Sequence, residues 1–186
     1  MKLLKVLALA LLAGPWLGTF ALAQATNAIQ TDIENLEGQT NVLIVKGFGS
    51  GGMVSVGGGV LAVHLKESFS PDDGKKLQAL VLDYNEGGAR QRAIIDYVEI
   101  DSLLRGLDYI RTAAYGVTGL PSFEVIYRTR DGFKIIGVGS HRESSVQTYV
   151  QFDGCQRVLM DSDQMAQLRN TIAQARNTLD ELKTAK

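Results

Sequence analysis

Between residues 41 and 160 the chain alternates short β-branched or aromatic runs with turns rich in glycine, asparagine and aspartate, a pattern that commits it to antiparallel sheet. The runs Met53–Val56 and Val60–Lys66 flank the triple glycine Gly57-Gly58-Gly59, and Asn41–Lys46 precedes them. Leu77–Tyr84 follows the turn cluster Ser70-Pro71-Asp72-Asp73-Gly74, and Arg92–Ile100 follows Asn85-Glu86-Gly87-Gly88. Further on, Phe123–Arg128 and Phe133–Val138 are separated by Thr129-Arg130-Asp131-Gly132. Val146–Phe152 and Cys155–Met160 are separated by Asp153-Gly154. Asp-Gly tolerates the positive φ angles of a tight hairpin, so each of these last two pairs is expected to be antiparallel neighbours.

Two stretches change period. Leu103, Leu107, Ile110 and Ala114 lie on one face of a helix predicted over 102–114, with Asp101 as its N-cap and Gly116 as its end. In the tail, Met165, Leu168, Ile172, Ala175, Leu179 and Leu182 repeat at spacings of three and four, which predicts a helix over 162–184. Asp161 and Gln164 have the spacing of a reciprocal capping box at its start. The stripe keeps heptad spacing, but fewer than three full heptads favours packing on the sheet over a coiled coil. The polar segment 24–40 contains Ile29, Ile33 and Leu36 along one side of a short helix. The expected architecture is mainly β (α+β), one domain over 41–186. It is a single antiparallel curved sheet or small barrel with one short internal helix and a C-terminal amphipathic helix. Meander strands closed by a helix resemble a pleckstrin-homology-like barrel by analogy, which implies no function.

The N-terminus carries a different signal. Lys2 and Lys5 precede an uncharged apolar stretch from Val6 to Ala23, which ends in Ala21-Leu22-Ala23. A positive start, an apolar middle and a small-residue site read as a cleavable secretory signal over 1–23, with Gln24 as the new N-terminus. Gly14, Pro15 and Gly18 weaken a permanent membrane helix, and no positively charged stop follows. The expectation is an exported protein, periplasmic or extracellular, with no stable membrane span after cleavage. The chain has 19 basic and 20 acidic side chains; removing two signal lysines leaves 17 against 20, a balance of −3. That sign argues against nucleic acid as a partner. Cys155 is the one cysteine, so no intramolecular disulfide can form, and it reads as a small buried hydrophobe.

Motifs that suggest chemistry fail on context. Gly47-Phe48-Gly49-Ser50-Gly51-Gly52 fits G-x-G-x-x-G, but the residues after it read as strand and turn, not the helix that a pyrophosphate needs. It reads instead as a glycine-rich hairpin. No G-x-S-x-G elbow surrounds Ser50 or Ser140, and the two histidines are assigned to a strand (His64) and a loop (His141). Two histidines and one cysteine without close spacing exclude a zinc motif. Asp96, Glu99, Asp101 and Asp108 cluster around the internal helix and read as a cap and a solvated face. No catalytic, cofactor-binding or metal-ligating residue is therefore assigned, and no cofactor is expected.

Ile95–Ile110 (IDYVEIDSLLRGLDYI), Phe123–Ile135 (FEVIYRTRDGFKI) and the tail Leu168–Arg176 resemble a group of small exported bacterial proteins without an assigned activity. The resemblance implies export and a shared fold and carries no residue roles. Two function classes follow. One is a non-catalytic interaction or binding module of the bacterial cell envelope, with an envelope protein as partner. The alternative is a small periplasmic hydrolase or small-ligand carrier, which a pocket gathering Asp96, Glu99 and His141 would favour. An exposed apolar patch along Gly47–Gly59 or the C-terminal helix would favour binding.

Overall fold

The computed structural model describes residues 30–113, 118–140 and 146–184. The expected signal over 1–23, Ile29, Ala114, Gly116 and His141 lie outside the described residues. A short helix α1 (Asp32–Glu37) precedes four strands: β1 (Val45–Val56), β2 (Gly59–Phe69), β3 (Lys76–Glu86) and β4 (Ala89–Asp96). Helix α2 (Tyr97–Thr112) follows, then β5 (Ser122–Arg128), β6 (Lys134–Ser140), β7 (Gln147–Gln151), β8 (Arg157–Met160) and α3 (Ser162–Thr184).

The fold is mainly β with helices, as the sequence predicts, but the strands form two sheets where one was expected. Both are antiparallel meanders, β1-β2-β3-β4 and β5-β6-β7-β8, and neither closes into a barrel among the described residues. The reason lies at Asp96. β4 runs into α2 without a turn, and 16 helical residues, about 24 Å at 1.5 Å each, carry the chain away before β5 begins. The second sheet is strongly curved. Arg157 on β8 reaches Glu124 on the opposite edge strand β5 at 2.8 Å, and Ile136 between them is fully buried.

Helix α2 starts five residues before the predicted position. Asp101 is therefore not its N-cap; it lies in the second turn, and the N-cap position belongs to Asp96. The run Arg92–Ile100 alternates like a strand, yet burial of Ile100, Leu103, Leu107 and Ile110 at spacings of three and four pulls its second half into the helix. α3 begins and ends as predicted, and the capping box is present: Gln164 N–H donates to Asp161 at 2.8 Å, and Asp161 N–H to Gln164 at 3.0 Å. Both predicted Asp-Gly hairpins form, with Gly132 at φ 81° and Gly154 at φ 69°.

One buried cluster unites both sheets and both long helices. α3 packs across β1 and β2, while α2 contacts β3 and β4 on one side and β5 and β6 on the other. Phe152 joins the halves: its ring stacks on Tyr84 of β3 with centroids 6.2 Å apart and meets Phe133 edge-on at 5.2 Å. The acids of α2 fasten it to α3. Asp101 pairs with Arg176 at 2.6 Å and Asp108 takes both arms of Arg169 at 3.0 Å, so acids seven apart meet arginines seven apart on an antiparallel helix.

The glycine-rich segment is not a hairpin. β1 runs through Gly47–Gly52 as continuous strand with a bulge between Ser50 and Gly52. At Gly51 a Cβ would lie 2.9 Å from the Ala175 methyl and 3.1 Å from the Val63 carbonyl, so glycine is what lets α3 lie this close to the sheet. No helix among the described residues is long and apolar enough to cross a membrane.

Candidate functional site

The first sheet buries one face and leaves most of the other open. On β2, Leu61, Val63 and Leu65 point into the core, while Val60, Ala62, His64 and Lys66 point away from it. Helix α1 covers one corner of the outer face, where Ile33 packs on Leu77, Ala79, Val81 and Ile94. Its Thr31 capping box and the Asp96 carboxylate, which accepts from Asp32 N at 2.7 Å and Ile33 N at 3.2 Å, fix it there. The rest of the face has no cover among the described residues.

Strand register orders this outer face, its open part and the corner under α1 alike, into cross-strand rows. Met53, Ala62, Asp83 and Arg92 form one; Ser50, His64, Val81 and Ile94 the next; Phe48, Lys66 and Ala79 the third. Phe48 is 74% exposed and Met53 72%, so an aromatic ring and a thioether stand in water along β1. Between Phe48 on one side and the arginines of β4 on the other lies a groove of about 220 Å³.

The polar side of the groove is built on a single carboxylate. Asp83 accepts from Arg90 through Nε and Nη2 at 3.1 and 2.8 Å, and from Arg92 through the same atoms at 3.0 and 3.1 Å. Burial alone would raise the Asp83 carboxyl, but these bonds and charges outweigh it and hold the group down to about 2. Two guanidinium groups thus share one negative charge, each presenting one edge of its fork to the carboxylate. Nearby, Glu37 takes Lys46 and Lys66 at 2.9 Å and Ser68 at 2.5 Å. Burial pushes Glu37 up, and its partners overcome that to bring it to about 2. Four cations therefore face two carboxylates, and this patch is positive on a chain whose net charge is negative.

The same face holds a serine, a histidine and an aspartate without assembling them for catalysis. His64 Nε2 stands 3.8 Å from Asp83, a charge contact beyond hydrogen-bond reach, and both Asp83 oxygens are already engaged by arginine. No hydrogen bond joins Ser50 to His64 among the described residues. Asp96 and Glu99 do meet, on Arg130: its guanidinium is 3.6 Å from Asp96 and its backbone N–H donates to Glu99 at 3.0 Å. Asp96 is nearly fully buried and spends both oxygens on α1, so the pair is structural. Asp101 and Asp108 are engaged by α3, as described above. Cys155 is partly buried and packs against the core.

The groove residues Phe48, Asp83, Arg90 and Arg92 were not singled out from the sequence. A signal existed: Arg90 and Arg92 alternate on one face of β4, and Asp83 interrupts the apolar run of β3. Among the described residues, no three histidine, cysteine or carboxylate side chains are grouped to hold a metal ion. Compared with protein-family models and with curated proteins, the chain matches none.

Proposed function

We propose that this protein is a non-catalytic binding module, exported to the bacterial cell envelope, that holds an acidic, partly apolar segment of an envelope protein on the open face of its first sheet. The observation that carries the reading is the Arg90–Asp83–Arg92 clamp set across a groove from exposed Phe48. Arginines already ordered by a carboxylate lose little freedom when they take a second one, and exposed apolar side chains beside them supply contact area. A protein partner suits the site better than a simple anion because β1 borders the groove as an edge strand, whose free backbone groups an extended chain can pair with.

The test is photo-crosslinking in cells from a benzophenone side chain at Met53, with Leu159 on the second sheet as the control position. The expected result is one dominant adduct from Met53 that maps to an acid-containing segment and declines with Arg92→Gln or Phe48→Ser. Equal adducts from both positions, or none, would rule out this face. Export is tested separately by N-terminal sequencing of the envelope form, which begins at Gln24 if the signal is cleaved.

A further inference from the structure

We infer that the end of the first sheet carries a second binding site, a cavity for an aliphatic carboxylate of the fatty-acid type. The cavity, about 350 Å³, lies where the start of β3, the start of α2 and the end of α3 converge, within the size range of small-molecule sites. Leu77, Val98, Leu182 and the Tyr97 ring give it apolar walls. Val98 and Leu182 remain exposed, so this apolar surface is open to a ligand and is not sealed core.

Charge selects the head group. Among the described residues, the charged side chains that line the cavity are Asp32, Lys76, Asp96 and Lys183. The first three are matched within the fold. Lys76 meets Glu67 at 2.9 Å, and Asp32 and Asp96 meet Arg130 at 3.2 and 3.6 Å. Asp96 also accepts from the backbone of α1. Lys183 alone of the four meets no opposite charge among the described residues; its ammonium rests 3.0 Å over the Tyr97 ring instead. That contact holds the positive charge at the cavity wall without neutralising it. The ring itself is fixed, because the Tyr97 hydroxyl donates to Asp180, which Arg176 also engages. The unmatched charge on these apolar walls is thus single and positive. A monoanion on a hydrocarbon chain complements both features. Its carboxylate accepts charge-assisted hydrogen bonds from the Lys183 ammonium, and its chain covers Leu77, Val98 and Leu182. A cationic or neutral amphiphile fills the same walls and lacks the ion pair.

The test is a titration of the purified protein with octanoate, followed by amide NMR shifts up to about 10 mM, the range expected for so small a ligand. Octanol and octylamine carry the same chain with a neutral and a cationic head. Saturable shifts with octanoate are expected at Leu77, Tyr97, Val98, Leu182 and Lys183, and hexanoate, two methylenes shorter, should bind about tenfold more weakly. Lys183→Gln should weaken octanoate about tenfold and leave octanol unchanged, whereas Lys183→Arg, which keeps the charge, should retain octanoate binding. Val98 is exposed, so Val98→Trp blocks the cavity without touching the core and should abolish the shifts. The inference is overturned if octanoate gives no saturable shift, if octanol or octylamine binds as tightly as octanoate, or if octanoate binding is unchanged in Lys183→Gln or in Val98→Trp.

Discussion

At the residue scale, two carboxylates govern how the fold responds to acid. Glu37 and Asp83 each hold two cations, and each is brought to about 2 from the ordinary values of 4.5 and 3.8. A carboxyl whose folded value lies below its unfolded value stabilises the fold above the unfolded value and loses that contribution as pH falls through the folded one. Stability should therefore drop between pH 4.5 and about 2, by roughly 3 kcal/mol for Glu37 and roughly 2 kcal/mol for Asp83. Asp131 works in the other direction. Burial raises its carboxyl, nearby Glu34, Asp153 and Glu99 add to this, and a bond from Ile94 N–H opposes it. Its protonation offsets part of the acid loss. Urea unfolding at pH 7 and pH 3 checks this: Glu37→Gln and Asp83→Asn should be weaker than the parent at pH 7 and lose less on acidification. Equal acid losses in all three would exclude these carboxylates as the source.

At the element scale, the contact between α3 and the first sheet depends on steric fit as well as on apolar burial. Leu168 and Ile172 are fully buried, so Leu168→Ala and Ile172→Ala should each cost about 2–5 kcal/mol in denaturant unfolding. Gly51→Ala adds a single methyl against Ala175 and the Val63 carbonyl and should cost about 1–3 kcal/mol. Ala175→Gly opens the same space from the helix side. The double variant should therefore be more stable than the sum of the single losses by at least about 0.5 kcal/mol, while strict additivity would mean that the two sites do not press on each other. The parts of this contact differ in how legible they were. The α3 stripe and the Asp161–Gln164 box rest on residues a turn or less apart, so the sequence alone predicts them. Why Gly51 is glycine depends on Ala175, far along the chain, and the segment reads instead as a hairpin. The start of α2 was hidden because Arg92–Ile100 alternates well enough to pass as one strand. The arginine clamp was hidden because Asp83 lies seven and nine residues from its partners, on the other side of a hairpin whose register decides which side chains meet.

At the scale of the whole molecule, separate sheets raise the question of whether the protein unfolds in one step or two. The division of the buried cluster argues for one. Apart from the small cluster under α1 on the outer face of the first sheet, the two sheets share one core: the inner face of the first is covered by α2 and α3, and the residues of the second join the same cluster through α2 and through Phe152. Phe152 is fully buried and contacts Tyr84 from one sheet and Phe133 from the connection within the other. Removing its ring leaves a void that belongs to both halves. Phe152→Ala should thus lower stability by about 3–5 kcal/mol, and the loss should register equally in both sheets. Native-state hydrogen exchange separates the two cases, because it reports an opening free energy for each amide. In a single cooperative unit, the slowest amides of β3 and of β6 share one opening free energy, and the substitution lowers both by the same amount. Were β6 alone to lose protection while β3 kept its own, the second sheet with its hairpins would be an independent unit. The open face of the first sheet would then be able to keep its shape while the second came apart.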